Sequence, residues 1–151
     1  MKEKFIEPFM NTAETFAQLS TARRLKVGCV VVKENRIISI GYNGTPAGWD
    51  NNCEDQIGFD QDRCEPILKT KQEVHHAERN ALDKIARSNE SSEGSSLFVT
   101  HAPCIECAKS IYTCGIKEVY YRNEYKASSG SGLDFLKKAG VHVFHVGNQN
   151  R

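Results

Sequence analysis

Two short motifs constrain this chain more tightly than any bulk property does. His76-Ala77-Glu78 and Pro103-Cys104-Ile105-Glu106-Cys107 each open a stretch of helical pattern. The first offers an imidazole and a carboxylate, the second two thiols three residues apart. Side chains at that spacing share one face of a helix, so Cys104 and Cys107 face the same way if residues 104–114 are helical. A helix start also favours thiolate over thiol, through its free N–H groups and its dipole. Pro103 suits such a start, because the N–H it lacks would be unpaired there anyway.

Ligand types then point to a chemistry. A hydrolytic zinc site needs three protein ligands, one open position and a nearby proton carrier. His76, Cys104 and Cys107 supply the three ligands. Glu78 follows His76 by two residues, which in mid-helix would turn it about 200° away. At a helix start both side chains can reach past the end toward one ion, with Glu78 carrying protons rather than binding metal. A zinc ion so held lowers the pKa of its water toward about 7. Two plainer readings compete: a closed structural zinc with Glu78 at the surface, and a redox Cys-x-x-Cys pair. The first wants a fourth protein ligand and leaves Glu78 without a task.

The rest of the chain reads as one α/β domain over residues 1–151. An amphipathic helix is expected over 3–20, broken early by Pro8, and a hairpin of strands over 27–33 and 36–42 turning at Glu34-Asn35. The β-branched run VGCVVVK suits a strand buried on both faces. A long polar connection, roughly 43–72, reads as loop and needs a function or an internal staple. Helices follow over 73–88, 104–114 and 132–139, with strands over 96–101, 117–122 and 141–146 and a Ser/Gly loop over 127–132. Net charge is only +1, which argues against a broadly basic nucleic-acid binder. No apolar run approaches the roughly 18 residues of a membrane span. MKEKFIEPFM carries charge inside its first apolar stretch, unlike a signal peptide, so a cytoplasmic location is expected, or the host cytoplasm for a phage-encoded chain. In such a reducing compartment the six cysteines are not expected to form disulfides. Cys29 and Cys114 read as core residues.

The spacing H-x-E…P-C-x-x-C is that of the zinc nucleobase deaminases. With VGCVVV and GYNGTPAG before it, and HAERNAL as its first half, the chain resembles the deoxycytidylate (dCMP) deaminase family from about Arg24 to Val146. The resemblance implies a cytidine-deaminase-like three-layer sandwich, a mixed five-stranded sheet flanked by helices. It also implies zinc-dependent hydrolysis of dCMP to dUMP and ammonia, a step toward thymidylate. Glu78 then takes a proton from the water, gives one to ring N3 and passes one to the departing amine. Asn43 corresponds to a residue that bonds the sugar hydroxyl. Arg122 and Tyr125, with Arg24 and Lys26, are candidate phosphate donors, although no phosphate-cradling glycine motif is present.

Relatives also imply a second, structural zinc held by loop cysteines and a histidine, here Cys53, Cys64 and His75. Its fourth ligand stays open between Cys29, another histidine and a carboxylate such as Asp55. The family implies a homo-oligomer, a hexamer by preference, activated by dCTP with Mg²⁺ and inhibited by dTTP. Arg24, Lys26, Gly41, Tyr42, Asn43 and Gly44 match the part of the family that forms the effector site. Rival readings are a nucleic-acid deaminase, a riboflavin-pathway or free-nucleoside deaminase, and a zinc-stabilised binding module.

Overall fold

A computed structural model describes residues 1–125 and 131–147. The chain runs α1 (Glu3–Ala17), β1 (Gly28–Lys33), β2 (Arg36–Tyr42), β3 (Glu54–Asp60), β4 (Glu65–Thr70), α2 (Ala77–Ala86), β5 (Ser96–His101), α3 (Ile105–Thr113), β6 (Glu118–Asn123), α4 (Gly132–Lys138) and β7 (His142–His145). Five strands form one sheet in the order β2-β1-β5-β6-β7. β1 pairs antiparallel with β2 and β5, while β5, β6 and β7 run parallel, joined by crossovers through α3 and α4. The β1–β2 turn places Glu34 and Asn35 at φ 52° and 60°, the doubly left-handed pair that a two-residue hairpin requires.

Strand periodicity explains the layers. Along β1, Cys29 and Val31 face one side while Val30 and Val32 face the other. Val30 and Val32 join Phe98 and Tyr120 under Met10 and Ala13 of α1. Cys29 and Val31 join Leu97, Val99 and Val119 under α2, α3 and α4. The expected mixed five-stranded sheet between helical layers is therefore present. α1 continues through Pro8 instead of breaking there. Residues 73–76 stay outside the helix: Glu73 lies in a turn closed by Val74 N donating to Lys71 O, and His75 pairs its main chain with Gly44 before α2 begins.

The connection over 43–72 is not a structureless loop. β3 and β4 pair antiparallel within it, from Glu54 with Thr70 to Asp60 with Glu65. Periodicity hides this hairpin because its large apolar residues, Ile57, Phe59 and Ile67, are 62%, 54% and 43% exposed rather than core-facing. A backbone ladder orders the segment, so no metal staple is needed for that purpose. Residues 127–130 of the expected Ser/Gly loop lie outside the described residues.

Candidate active site

Two helix starts meet at one end of the sheet. His76 is the N-cap of α2 and Cys104 the N-cap of α3, both in extended conformation, and Cys107 lies in the first turn of α3. Pro103 sits one residue before the cap rather than inside the helix. His76 Nδ1 lies 3.2 Å from Cys107 Sγ and 3.7 Å from Cys104 Sγ. All three ligand atoms fall within 4.8 Å of one another, the one such three-residue group among the described residues. Zinc–nitrogen and zinc–sulfur bonds of about 2.0 and 2.3 Å give tetrahedral N···S edges of about 3.5 Å, so the donor set fits Zn²⁺ in both type and spacing.

Electrostatics support the same reading. Cys104 is held well below the ordinary thiol range, first by a hydrogen bond from the Cys107 thiol and then by His76. Cys107 is correspondingly pushed up, because it retains the shared proton. A cation can replace that proton and hold both sulfurs as thiolates. Glu78, 4% exposed, is pushed up to about 7, chiefly by burial, with His76 opposing. A carboxyl near 7 is suited to take and give protons at neutral pH.

A cavity of about 230 Å³ opens onto this group. His76, Glu78 and Cys104 line one part of it, with Asn43, Arg24, Glu54, His101 and Tyr125 among the other walls. The matching family model is the cytidine and deoxycytidylate deaminase zinc-binding region, over residues 3–123. It belongs to that deaminase family. The deoxycytidylate deaminase of Enterobacteria phage T4 is 32% identical over 172 aligned positions, covering 93% of this chain and 89% of the relative. ComE operon protein 2 of Bacillus subtilis is 36% identical over 138 residues, 91% of this chain and 69% of that one. Among solved structures, the dCMP deaminase of cyanophage S-TIM5 in complex with dCMP and dUMP is 44% identical, with a TM-score of 0.82 over 97% of this chain and 99% of the other.

The deaminase distributes the remaining expected site residues unevenly. Tyr125 and Arg24 line the cavity, and Arg24 Nη1 donates to Thr70 Oγ1 at 3.0 Å. Arg24 therefore shares the wall of this cavity with Asn43 and does not line the groove along the Gly-rich segment. Asn43 also lines the cavity, but its amide is engaged at both ends: Oδ1 accepts from Val27 N at 2.9 Å and Nδ2 donates to Leu25 O at 2.8 Å. Tyr42, Asn43 and Gly44 line a second, larger groove of about 750 Å³, with Lys84 and Arg87 on its wall. Lys26 is exposed and lines neither.

Three expectations are corrected. Arg122 is not a phosphate donor at the cavity: it is buried against α1, where its guanidinium pairs with Glu7 and Glu14 and bonds Asn11. A lone arginine at a strand end reads as surface charge until the facing helix is known to carry carboxylates. Gly41 is buried against α2 and lines neither cavity: a Cβ there would stand 2.6 Å from Ala81 N and still closer to Ala77 O. It is the glycine that lets α2 approach the sheet. Cys53, Cys64 and His75 are not brought together. Cys53 is buried before β3, its Sγ 3.4 Å from Thr21 Oγ1, while Cys64 is exposed in the turn at the far tip of the hairpin. The ladder between them holds the two thiols apart.

Two cavity residues were not anticipated. His101 ends β5, its Nδ1 2.9 Å from Thr100 Oγ1, and burial lowers its pKa, favouring neutral imidazole. Its place at a strand end two residues before Pro103 was the available signal. Glu54 carried none: it lies in an acidic stretch of what reads as polar loop.

Proposed function

We propose that this deaminase hydrolyses dCMP, consuming one water and producing dUMP and ammonia. The observation that carries the proposal is a buried carboxyl, Glu78, beside a three-residue His/Cys/Cys group, with His76, Glu78 and Cys104 opening onto one cavity of about 230 Å³. The substrate follows from the likeness to dCMP deaminases, one of them bound to dCMP and dUMP. His76, Cys104 and Cys107 would hold Zn²⁺, which would supply Lewis acidity to the site. Glu78 would take the first proton of the attacking water and deliver it to ring N3, then take the second from the hydroxyl now on C4 and pass it to the amine, which leaves as ammonia as the C4 carbonyl forms. Its burial keeps bulk water from taking the proton. Tyr125 and Arg24 bound the same cavity, and Arg24 offers the cation that a 5′-phosphate requires.

Regulation is part of the reading. The groove at Tyr42, Asn43 and Gly44 has exposed Lys84 and Arg87 on its wall, cations suited to a nucleoside triphosphate with Mg²⁺. We assign it to dCTP as activator and dTTP as inhibitor, in a homo-oligomer, hexameric by preference, that supplies dUMP for thymidylate in the cytoplasm. Among the described residues no helix is long and apolar enough to cross a membrane.

The test is turnover of dCMP, dCTP, cytidine and a cytosine-containing oligonucleotide side by side, with and without dTTP. Product from dCMP in large excess over the others supports the reading, and preference for the oligonucleotide overturns it. Glu78→Ala lowers kcat by about 10²–10⁴-fold with zinc per chain unchanged. Activity surviving that change refutes the proton-carrier role.

A further inference from the structure

Glu54 is the one buried carboxylate of the cavity that the proposed chemistry does not use. It is 1% exposed at the first position of β3, and it lines the same cavity as His76, Glu78 and Cys104. One oxygen is fully engaged: Oε2 accepts from Arg23 N at 2.8 Å and from Arg24 N at 2.9 Å. Its other oxygen is not. Oε1 is buried yet accepts no hydrogen bond, and the nearest cation, Arg23 Nε, stands 3.5 Å away. That guanidinium spends its Nη2 on Asn52 Oδ1 and on the Glu54 carbonyl instead. A buried carboxylate oxygen without a donor is costly, and it marks a place where a donor is expected to arrive.

The donor's class follows from charge and position. A phosphate would be repelled by the carboxylate. The base must present C4 to Glu78 and the three ligands, none of which touches Glu54 through any hydrogen bond or ion pair of the described residues. A sugar hydroxyl remains, and a 5′-phosphorylated 2′-deoxynucleoside has only one, at O3′. Asn43 was the sequence-level candidate for that contact, but its amide already clamps Leu25 and Val27. We propose that Glu54 Oε1 accepts the 3′-hydroxyl of the nucleotide, making Glu54 a specificity-determining residue that reads the sugar. The main-chain bonds to Arg23 and Arg24 fix the carboxylate and couple it to the strand lead-in that carries the Arg24 cation.

This rests on the dCMP-deaminase reading, and the experiment separates the two. Steady-state kcat/KM is measured for dCMP and for 2′,3′-dideoxycytidine 5′-monophosphate, with wild type, Glu54→Gln and Glu54→Ala. Wild type should prefer dCMP by about 10²-fold or more, the margin expected when a buried acceptor is left without its donor. Glu54→Gln keeps an acceptor for the two main-chain N–H groups but sets an NH₂ where Oε1 was. It should bring the two substrates within a few-fold of each other, mainly by lowering kcat/KM for dCMP. A merely structural Glu54 would lower both substrates together and preserve the ratio, which overturns the assignment. Equal wild-type turnover of the two nucleotides overturns it without any variant, so failure of Glu54→Ala to fold does not protect it. Wild type inert toward dCMP defeats the proposed function itself, and this assignment with it.

Discussion

Gly41→Ala tests how the fold sets the site, because the added methyl meets the main chain of α2 first and then Ala81 Cβ, which has no rotamer to change. Its Cβ would stand 2.6 Å from Ala81 N and closer still to Ala77 O, both belonging to α2. No rotamer change relieves a clash with backbone, so α2 must withdraw from β2 by about 1 Å to restore ordinary contact. Overpacking of a core costs about 1–3 kcal/mol, and backbone on both sides places this case near 3. At about 2–4 °C per kcal/mol for a chain of this size, Tm should fall by about 10 °C. α2 begins at Ala77, directly after His76 of the His/Cys/Cys group, and carries Glu78 in its first turn. A displacement of about 1 Å there should lower kcat/KM by about 10²-fold. Gly28→Ala is the control: its Cβ would stand 2.8 Å from Ala17 N of α1, a helix that carries none of the metal-ligand group. It should cost similar Tm without that loss of turnover in the folded fraction. Thermal unfolding and dCMP turnover below the transition are the two readouts. Unchanged Tm in Gly41→Ala, or equal loss of activity in both variants, would refute the reasoning.

Arg122→Met should cost about 2 kcal/mol, toward the low side for a broken buried pair because Glu7 and Glu14 remain 24% and 34% exposed and can hydrate. Glu14 is already raised by burial, with Arg122 pulling it down and Glu7 pushing it up. Without Arg122 the folded state binds protons more readily than the unfolded one. The stability deficit in denaturant titrations should therefore be widest near pH 7 and shrink as pH falls through the carboxylate range, with KM for dCMP unchanged. A raised KM at unchanged stability would instead return Arg122 to the substrate. Metal analysis should find one zinc per chain, still one in Cys64→Ser; two in wild type and one in the variant would restore the second site. Chelation should abolish turnover, and added Zn²⁺ should restore it.

The sequence by itself determined the chemistry of the centre and most of the architecture. His76, Glu78, Cys104 and Cys107 were legible because a helix start is a local event, set by Pro103 and by where apolar periodicity begins. β1, β2, β5 and the helices around them were legible for the same reason: apolar residues in them face a core, so period and burial coincide. Only the tertiary structure decided which polar groups meet. The β3–β4 hairpin escaped because its apolar residues face outward, and with it went the separation of Cys53 from Cys64 and the placement of Glu54 in the cavity wall. Arg122 could not be read as the partner of Glu7 and Glu14, since that pairing joins a strand to a helix more than a hundred residues earlier. Such contacts leave no period in the chain. They arise when α1 closes one face of the sheet and α2 presses against Gly41 on the other, and that packing turns two short motifs into one site.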